Sequence, residues 1–119
     1  MESNALLHLS TAAEWDRARV AGVVAPPSLA EVGFVHLSTP DQVTLPANRL
    51  FRRRADVVLL VIDPARIGVE VRWEPGVPGD PESMRFPHAY GEVPTTAVLR
   101  ALPYGPGPDG DFAPPDLQR

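Results

Sequence analysis

The chain alternates between short apolar runs and polar breaks, and each break carries recognisable turn or cap chemistry. Residues 5–9 read as a short strand. Thr11 follows as a helix N-cap with Glu14 three positions on, the capping-box spacing, and Gly22 supplies the expected stop, so the pattern predicts a helix ending near Ala21. Ala12, Trp15 and Ala18 fall on one face of it, at spacings of three, and are expected to pack on a sheet. Residues 23–29 read as a Pro-containing connection and residues 33–38 as a second strand. Thr39 is a second expected N-cap, with Pro40 in the first helical position, Gln42 as reciprocal partner and Pro46 as an interruption, before a further turn over 48–53.

Beyond the midpoint, Val57–Ile62 is apolar at every position, which predicts a central strand covered on both faces. Asp63-Pro64 ends it. Val69, Val71 and Trp73 alternate with Glu70, Arg72 and Glu74, the pattern of a half-exposed strand. Residues 75–82 predict a mobile loop rich in Pro, Gly and acid. Residues 86–91 read as extended, 94–97 as one helical turn and 98–104 as a strand. Asp109-Gly110 is a hairpin-turn signal. The expected product is a single α+β domain over residues 1–119, with about six short strands, two to three short helices and a flexible tail from about 113.

Within this pattern one tetrapeptide recurs: His-Leu-Ser-Thr at 8–11 and at 36–39. Strand periodicity places Leu7 and Leu9 on one face and His8 and Ser10 on the other; likewise Val35 and Leu37 oppose His36 and Ser38. If the two strands are neighbours, His8 and His36 face a common cleft. Each strand then feeds a helix start, and Ser10, Thr11, Ser38 and Thr39 with the adjoining backbone N–H groups suit a phosphate, pyrophosphate or carboxylate. Either repeat alone is explained by a buried His and a cap; the pair together points to a site. Phe86-Pro87-His88-Ala89-Tyr90-Gly91 adds the third histidine, with His88 and Tyr90 on one face, equipped for hydrogen bonding and acid–base work. Glu74 and Glu92 are the candidate carboxylates, able to orient a sugar hydroxyl or stabilise a cationic transition state. In the run Arg49, Arg52, Arg53 and Arg54, the last three read as a solvated helix end and Arg49 remains a candidate for substrate phosphate.

Composition narrows the chemistry. There is no Cys, which removes thiol nucleophiles, disulfides and thiolate metal sites. All eleven basic residues are Arg, which removes Schiff-base catalysis and a P-loop lysine. A net charge of −4 argues against a general nucleic-acid binder. No apolar run reaches membrane length, and the first residues lack the basic start and long apolar stretch of a signal peptide, so a cytoplasmic location is expected. No two histidines have the close spacing of a metal-binding pair, so a three-His zinc site ranks below the anion site.

The same segments resemble a known family. The leading His-x-Ser-Thr with a Trp-bearing helix, Gly-Phe-Val-His-Leu-Ser-Thr at 33–39, Ala-Asn-Arg-Leu-Phe at 47–51, Leu-Leu-Val-Ile-Asp at 59–63 and Phe-Pro-His-Ala-Tyr-Gly at 86–91 are similar to the bacterial family called domain of unknown function 952. More distantly, His8 to Thr11, a helix, Gly22 and Val-His-Leu-Ser at 35–38 resemble in order the RNA 2′-phosphotransferases of the ADP-ribosyltransferase superfamily, and Gly91-Glu92-Val93-Pro94 resembles a late strand segment there. That resemblance implies a small, split, strongly bent and mostly antiparallel sheet holding NAD, as substrate, in its cleft. It implies that His8 bonds the nicotinamide-side ribose, that His36 with Ser38 lines the nicotinamide and ribose pocket, and that Glu92 lies where the superfamily has its catalytic glutamate. Taken with the reading of the residues themselves, the expected catalytic residues are His8, His36 and Glu92, and the expected ligand contacts Ser10, Thr11, Ser38, Thr39, Arg49, His88 and Tyr90. The expected function is a small NAD- or nucleotide-utilising transferase or glycohydrolase acting at ribose. Two rivals stand beside it: a non-catalytic nucleotide or small-anion binding module, and a hydrolase using a metal held by the three histidines.

Overall fold

Val57–Ile62 forms strand β4, and the rest of the chain is arranged about it. The computed structural model describes residues 4–76, 79–81 and 84–117. β4 pairs antiparallel on one side with β1 (Leu6–Thr11), Leu6 facing Ile62 and Thr11 facing Val57, and on the other with β8 (Val98–Pro103), where the register slips between Val61 and Ile62. Because a strand's side chains alternate, an all-apolar strand serves two cores. Leu60 and Ile62 join Leu6, Ala18, Val24, Val35, Leu37 and Val93 on one face, while Val57, Leu59 and Val61 join Leu7, Val43, Ala47, Tyr104 and Phe112 on the other. The covered central strand read from the sequence is present at the expected residues.

Helix α1 (Ala12–Ala21) begins at the expected cap. The Glu14 N–H donates to Thr11 Oγ1 and the Thr11 N–H to Glu14 Oε1, both at 3.1 Å, and Gly22 closes the helix in the left-handed conformation at φ 84°. Trp15 and Ala18 pack on the first core, but Ala12, expected on the same face, is exposed at the helix start. The expected Pro-rich connection instead contains β2 (Val23–Val24) and helix α2 (Pro27–Val32). Proline fits the first helical position, where no intrahelical N–H is needed, and Gly33 ends α2 at φ 87°.

β3 is only Val35–His36, shorter than the strand expected over 33–38. Helix α3 (Thr44–Leu50) starts five residues after Thr39. Proline is tolerated in a first turn, so Pro46 sits near the start of the helix instead of interrupting it. The expected reciprocal contact is half formed: the Thr39 N–H donates to Gln42 Oε1 at 3.1 Å, while residues 40–43 are a turn. A 3₁₀ turn at Pro64–Arg66 leads to β5 (Val71–Pro75) and then β6 (Arg85–Ala89), β7 (Val93–Pro94) and a second 3₁₀ turn at Thr95–Ala97.

The strands form three antiparallel groups, β1-β4-β8, β3-β6-β5 and β2-β7, with three helices, an α+β arrangement. A bridge between Leu7 and Ser38 links β1 to the chain just past β3. Two strands more than the expected six appear, and three of the eight are two residues long. Asp109-Gly110 does form a turn, with Gly110 at φ 89°, and no strand flanks it. Residues 113–117 of the expected tail carry contacts: Tyr104 O–H donates to the Ala113 carbonyl, Arg100 Nη2 to that of Leu117 at 2.7 Å. The loop expected to be mobile over 75–82 lies partly outside the described residues, at 77–78 and 82, as do residues 118–119. None of the described helices is long and apolar enough to cross a membrane.

Candidate functional site

The two His-Leu-Ser-Thr segments lie side by side. The Leu7 N–H donates to the Ser38 carbonyl at 2.7 Å and the Ser38 N–H to the Leu7 carbonyl at 2.8 Å. This exchange brings His8 Nδ1 to 2.8 Å from the His36 carbonyl oxygen. A carbonyl only accepts, so His8 Nδ1 carries the hydrogen and Nε2 is the acceptor. His8 is 5% exposed, and burial holds its pKa below the ordinary histidine value against the opposing pull of the His36 carbonyl and Glu14. His36 is half-buried; its pKa is also lowered, first by burial, then by His88 and His8. Both rings are therefore neutral at neutral pH.

His88 enters from the neighbouring strand. β6 runs between β3 and β5, with His88 opposite both His36 and Arg72. The His36 and His88 rings meet edge to face at 5.3 Å, and Phe34 stacks on His88 at 4.0 Å with 13° between the planes. Glu74 is opposite Phe86, two residues before His88, which is diagonal reach for a long side chain. Its Oε1 accepts from Tyr90 O–H at 2.7 Å and lies 2.9 Å from His88 Nδ1. The bonds from Tyr90 and then His88 hold the Glu74 pKa below the usual carboxylate value, so Glu74 is ionised and only accepts. The same bond raises the Tyr90 pKa, and the Arg72 guanidinium sits 4.3 Å above the Tyr90 ring. His88 is 1% exposed, and its Nε2 is buried without a hydrogen-bond partner.

Three adjoining hollows follow the histidines. One of about 380 Å³ runs along α1 and is walled by His8, Ser10, Glu14, Arg17, Pro26 and Leu60, among others. A second of about 180 Å³ shares His8 and Glu14 and adds Ser28, His36, Ser38 and Phe51. A third of about 140 Å³ shares His36 and Ser38 and adds Arg49, Gly76, Phe86 and His88.

The other expected site residues divide. Ser10 lines the first hollow, its hydroxyl donating to the Thr11 carbonyl at 2.9 Å. Ser38 lines two hollows. Arg49 lines the third while paired through both Nη atoms with Asp80, at 3.2 and 3.1 Å. Tyr90 touches the site through Glu74. Thr11 caps α1 through its hydroxyl, Thr39 is held through its backbone N–H by Gln42, and neither lines any of these hollows. Glu92 is exposed between β6 and β7 and lines none of them either, so Glu74 is the carboxylate brought to the histidines.

The two expected anion-binding helix starts are not formed as such. At α1 the Ala12 N–H donates to the Asp56 carbonyl and the Glu14 N–H to Thr11, and at the second repeat no helix follows Thr39 directly. Of the basic run, Arg52 pairs with Asp111 and Arg54 with Asp56, as expected of a solvated surface. Among the described residues no group of three His, Asp or Glu is arranged to hold a metal ion. Glu14, legible only as a capping residue, turns out to wall two hollows; strand alternation puts Phe34 on the face of His36, but its stacking on His88 depends on the pairing of distant strands.

Residues 9–101 match the family model described as a protein of unknown function, DUF952. The crystal structure of protein CC0527 from Caulobacter crescentus is similar, at 29% identity and a TM-score of 0.79, with 92% of this chain and 93% of that one covered. The solution structure of the same protein gives a TM-score of 0.76 at 29% identity, covering 94% and 92%. No curated protein matches.

Proposed function

The chain belongs to the DUF952 family of proteins of unknown function, and for this member we propose an enzyme that binds NAD or a related nucleotide along the three hollows and acts at its ribose. The observation that carries the reading is the convergence of His8, His36 and His88, from three separate segments, on adjoining hollows. Ribose hydroxyls donate as well as accept, and neutral imidazoles offer them acceptors: His8 through Nε2, and His36 in the wall common to two hollows. Arg17, on the wall of the hollow along α1, would meet a pyrophosphate bound there. The volumes together suit a nucleotide-sized ligand better than an ion.

In the proposed step the nicotinamide–ribose bond breaks, nicotinamide keeps the bonding pair, and a nucleophile attacks the resulting cationic sugar carbon. His36 and His88 supply acid–base capacity beside it, and Glu74 the nearby negative charge. The reading keeps the ribose chemistry expected from the order of the His-Leu-Ser-Thr segments, with Glu74 in place of Glu92 as the acidic member of the site.

Calorimetric titration with NAD, followed by chromatographic detection of released nicotinamide, tests the reading. Saturable heat and nicotinamide release, both lost in His36→Gln, are expected. Folded protein that neither binds nor cleaves NAD contradicts it. Binding without release favours the second reading, a nucleotide-binding module, to which the exposed position of Glu92 gives independent support.

A further inference from the structure

We infer that the 140 Å³ hollow beside His36 and His88 is the acceptor subsite of the transfer, taking a small neutral alcohol whose hydroxyl donates to His88 Nε2, with Glu74 as the positioning residue that keeps this nitrogen an acceptor. This rests on the ribose-directed reading above and names the second reactant.

Ionised Glu74 cannot donate, so the hydrogen between it and His88 belongs to Nδ1, and in the neutral form of the ring the lone pair lies at Nε2. Tyr90 donates to the same Glu74 oxygen and Phe34 covers one face of the ring, so both the carboxylate and the imidazole are held in place. An acceptor buried at 1% residue exposure without a partner is disfavoured unless something supplies the missing donor. No described side chain does so; a bound hydroxyl would. A histidine oriented by a carboxylate, with its second nitrogen free, is the arrangement of a general base.

The wall limits what enters. The volume is too small for a nucleotide and admits a fragment of a few heavy atoms. Leu37, Pro46, Leu50 and Phe86 make it largely apolar. Arg49, the cation on its wall, already binds the Asp80 carboxylate through two nitrogens, which disfavours an anionic ligand and leaves a neutral one. In the step, the alcohol O–H bond breaks as its proton passes to His88 Nε2. The oxygen forms a bond to the sugar carbon, and the carbon–nitrogen bond to nicotinamide breaks with the electron pair leaving on nicotinamide. The positive charge of the pyridinium is thereby transferred to the imidazolium, which then releases its proton to water.

n-Propanol is the probe. In protein labelled with ¹⁵N-histidine, propanol alone is expected to shift the His88 Nε2 resonance saturably, and His88→Gln to remove that resonance. With NAD present, mass spectrometry is expected to find propyl ADP-ribose, reduced at least tenfold in Glu74→Ala. Glu74→Ala should also abolish the single-tautomer nitrogen pattern of His88, which a merely structural role would leave intact. If propanol moves no histidine nitrogen and yields no propyl product while NAD is bound and cleaved, the inference fails and the ribose-directed reading stands. If propanol shifts His88 but NAD gives neither heat nor nicotinamide, the alcohol subsite stands and the nucleotide reading fails.

Discussion

His8 shows how a single residue serves both fold and site. Its Nδ1–H fastens β1 to the carbonyl of His36, a bond that either protonation state of the ring can make, while burial favours the neutral form. The folded pKa of His8 and of His36 lies below the unfolded value of 6.5. In the window beneath 6.5 the unfolded chain binds more protons than the folded one, so stability is fully present above it and declines as pH falls towards the folded values. The thermal midpoint is therefore expected to drop between about pH 7.5 and 5.5, and the drop to be smaller in His8→Gln. Calorimetric melts of the two proteins across that range check it; parallel pH profiles would show that His8 does not carry the effect. His88 differs from both, because its polar partner is a carboxylate fourteen residues earlier in the chain.

At the scale of elements, α1 and α3 make separate predictions. Thr11→Ala removes the side-chain half of the capping box and is expected to cost ~1 kcal/mol. Because Glu14 walls two hollows from the first turn of α1, the same change should weaken NAD binding, which denaturant melts and calorimetry resolve separately. Asn48, in α3, holds the tail: its Oδ1 accepts from the Phe112 N–H at 2.7 Å and its Nδ2 donates to the Phe112 carbonyl at 3.3 Å. Asn48→Ala leaves Phe112 backbone groups unbonded and should destabilise by ~1–3 kcal/mol in denaturant unfolding.

These elements were unequally legible in the sequence. The α1 caps and β4 were readable because they rest on local chemistry: a Thr and Glu three apart, a terminal Gly, six consecutive apolar residues. α2 was hidden because two prolines also describe a loop, and α3 begins late because residues 40–43 prefer a turn that the Thr39 pattern does not reveal. The pairing of His8 with His36 could be anticipated from the repeat. The bond of Glu74 to His88 and Tyr90 depends on the β5–β6 register, and the nine-residue connection between those strands does not fix it locally.

Across the whole molecule, β4 separates two cores, and both border the site: Leu60 of the first walls the hollow along α1, while Leu9 and Phe51, packed on the second, wall the 180 Å³ hollow. Leu59 and Leu60 are both fully buried on opposite faces; Leu60 also walls the hollow that holds His8, while Leu59 walls a hollow of similar volume that holds none of the histidines. Substituting either by Ala should cost ~2–5 kcal/mol in unfolding. Only Leu60→Ala is expected also to loosen NAD binding under conditions where the protein is folded, and equal loss of binding in both variants would show that the two faces are not functionally distinct. The central claim, that three histidines from distant segments form one ligand-binding run, is met most directly by a crystal structure of the protein soaked with NAD. The expected result is a nucleotide lying along α1 with its ribose between His8 and His36. Density against another face, or clear empty hollows at saturating NAD, would contradict it.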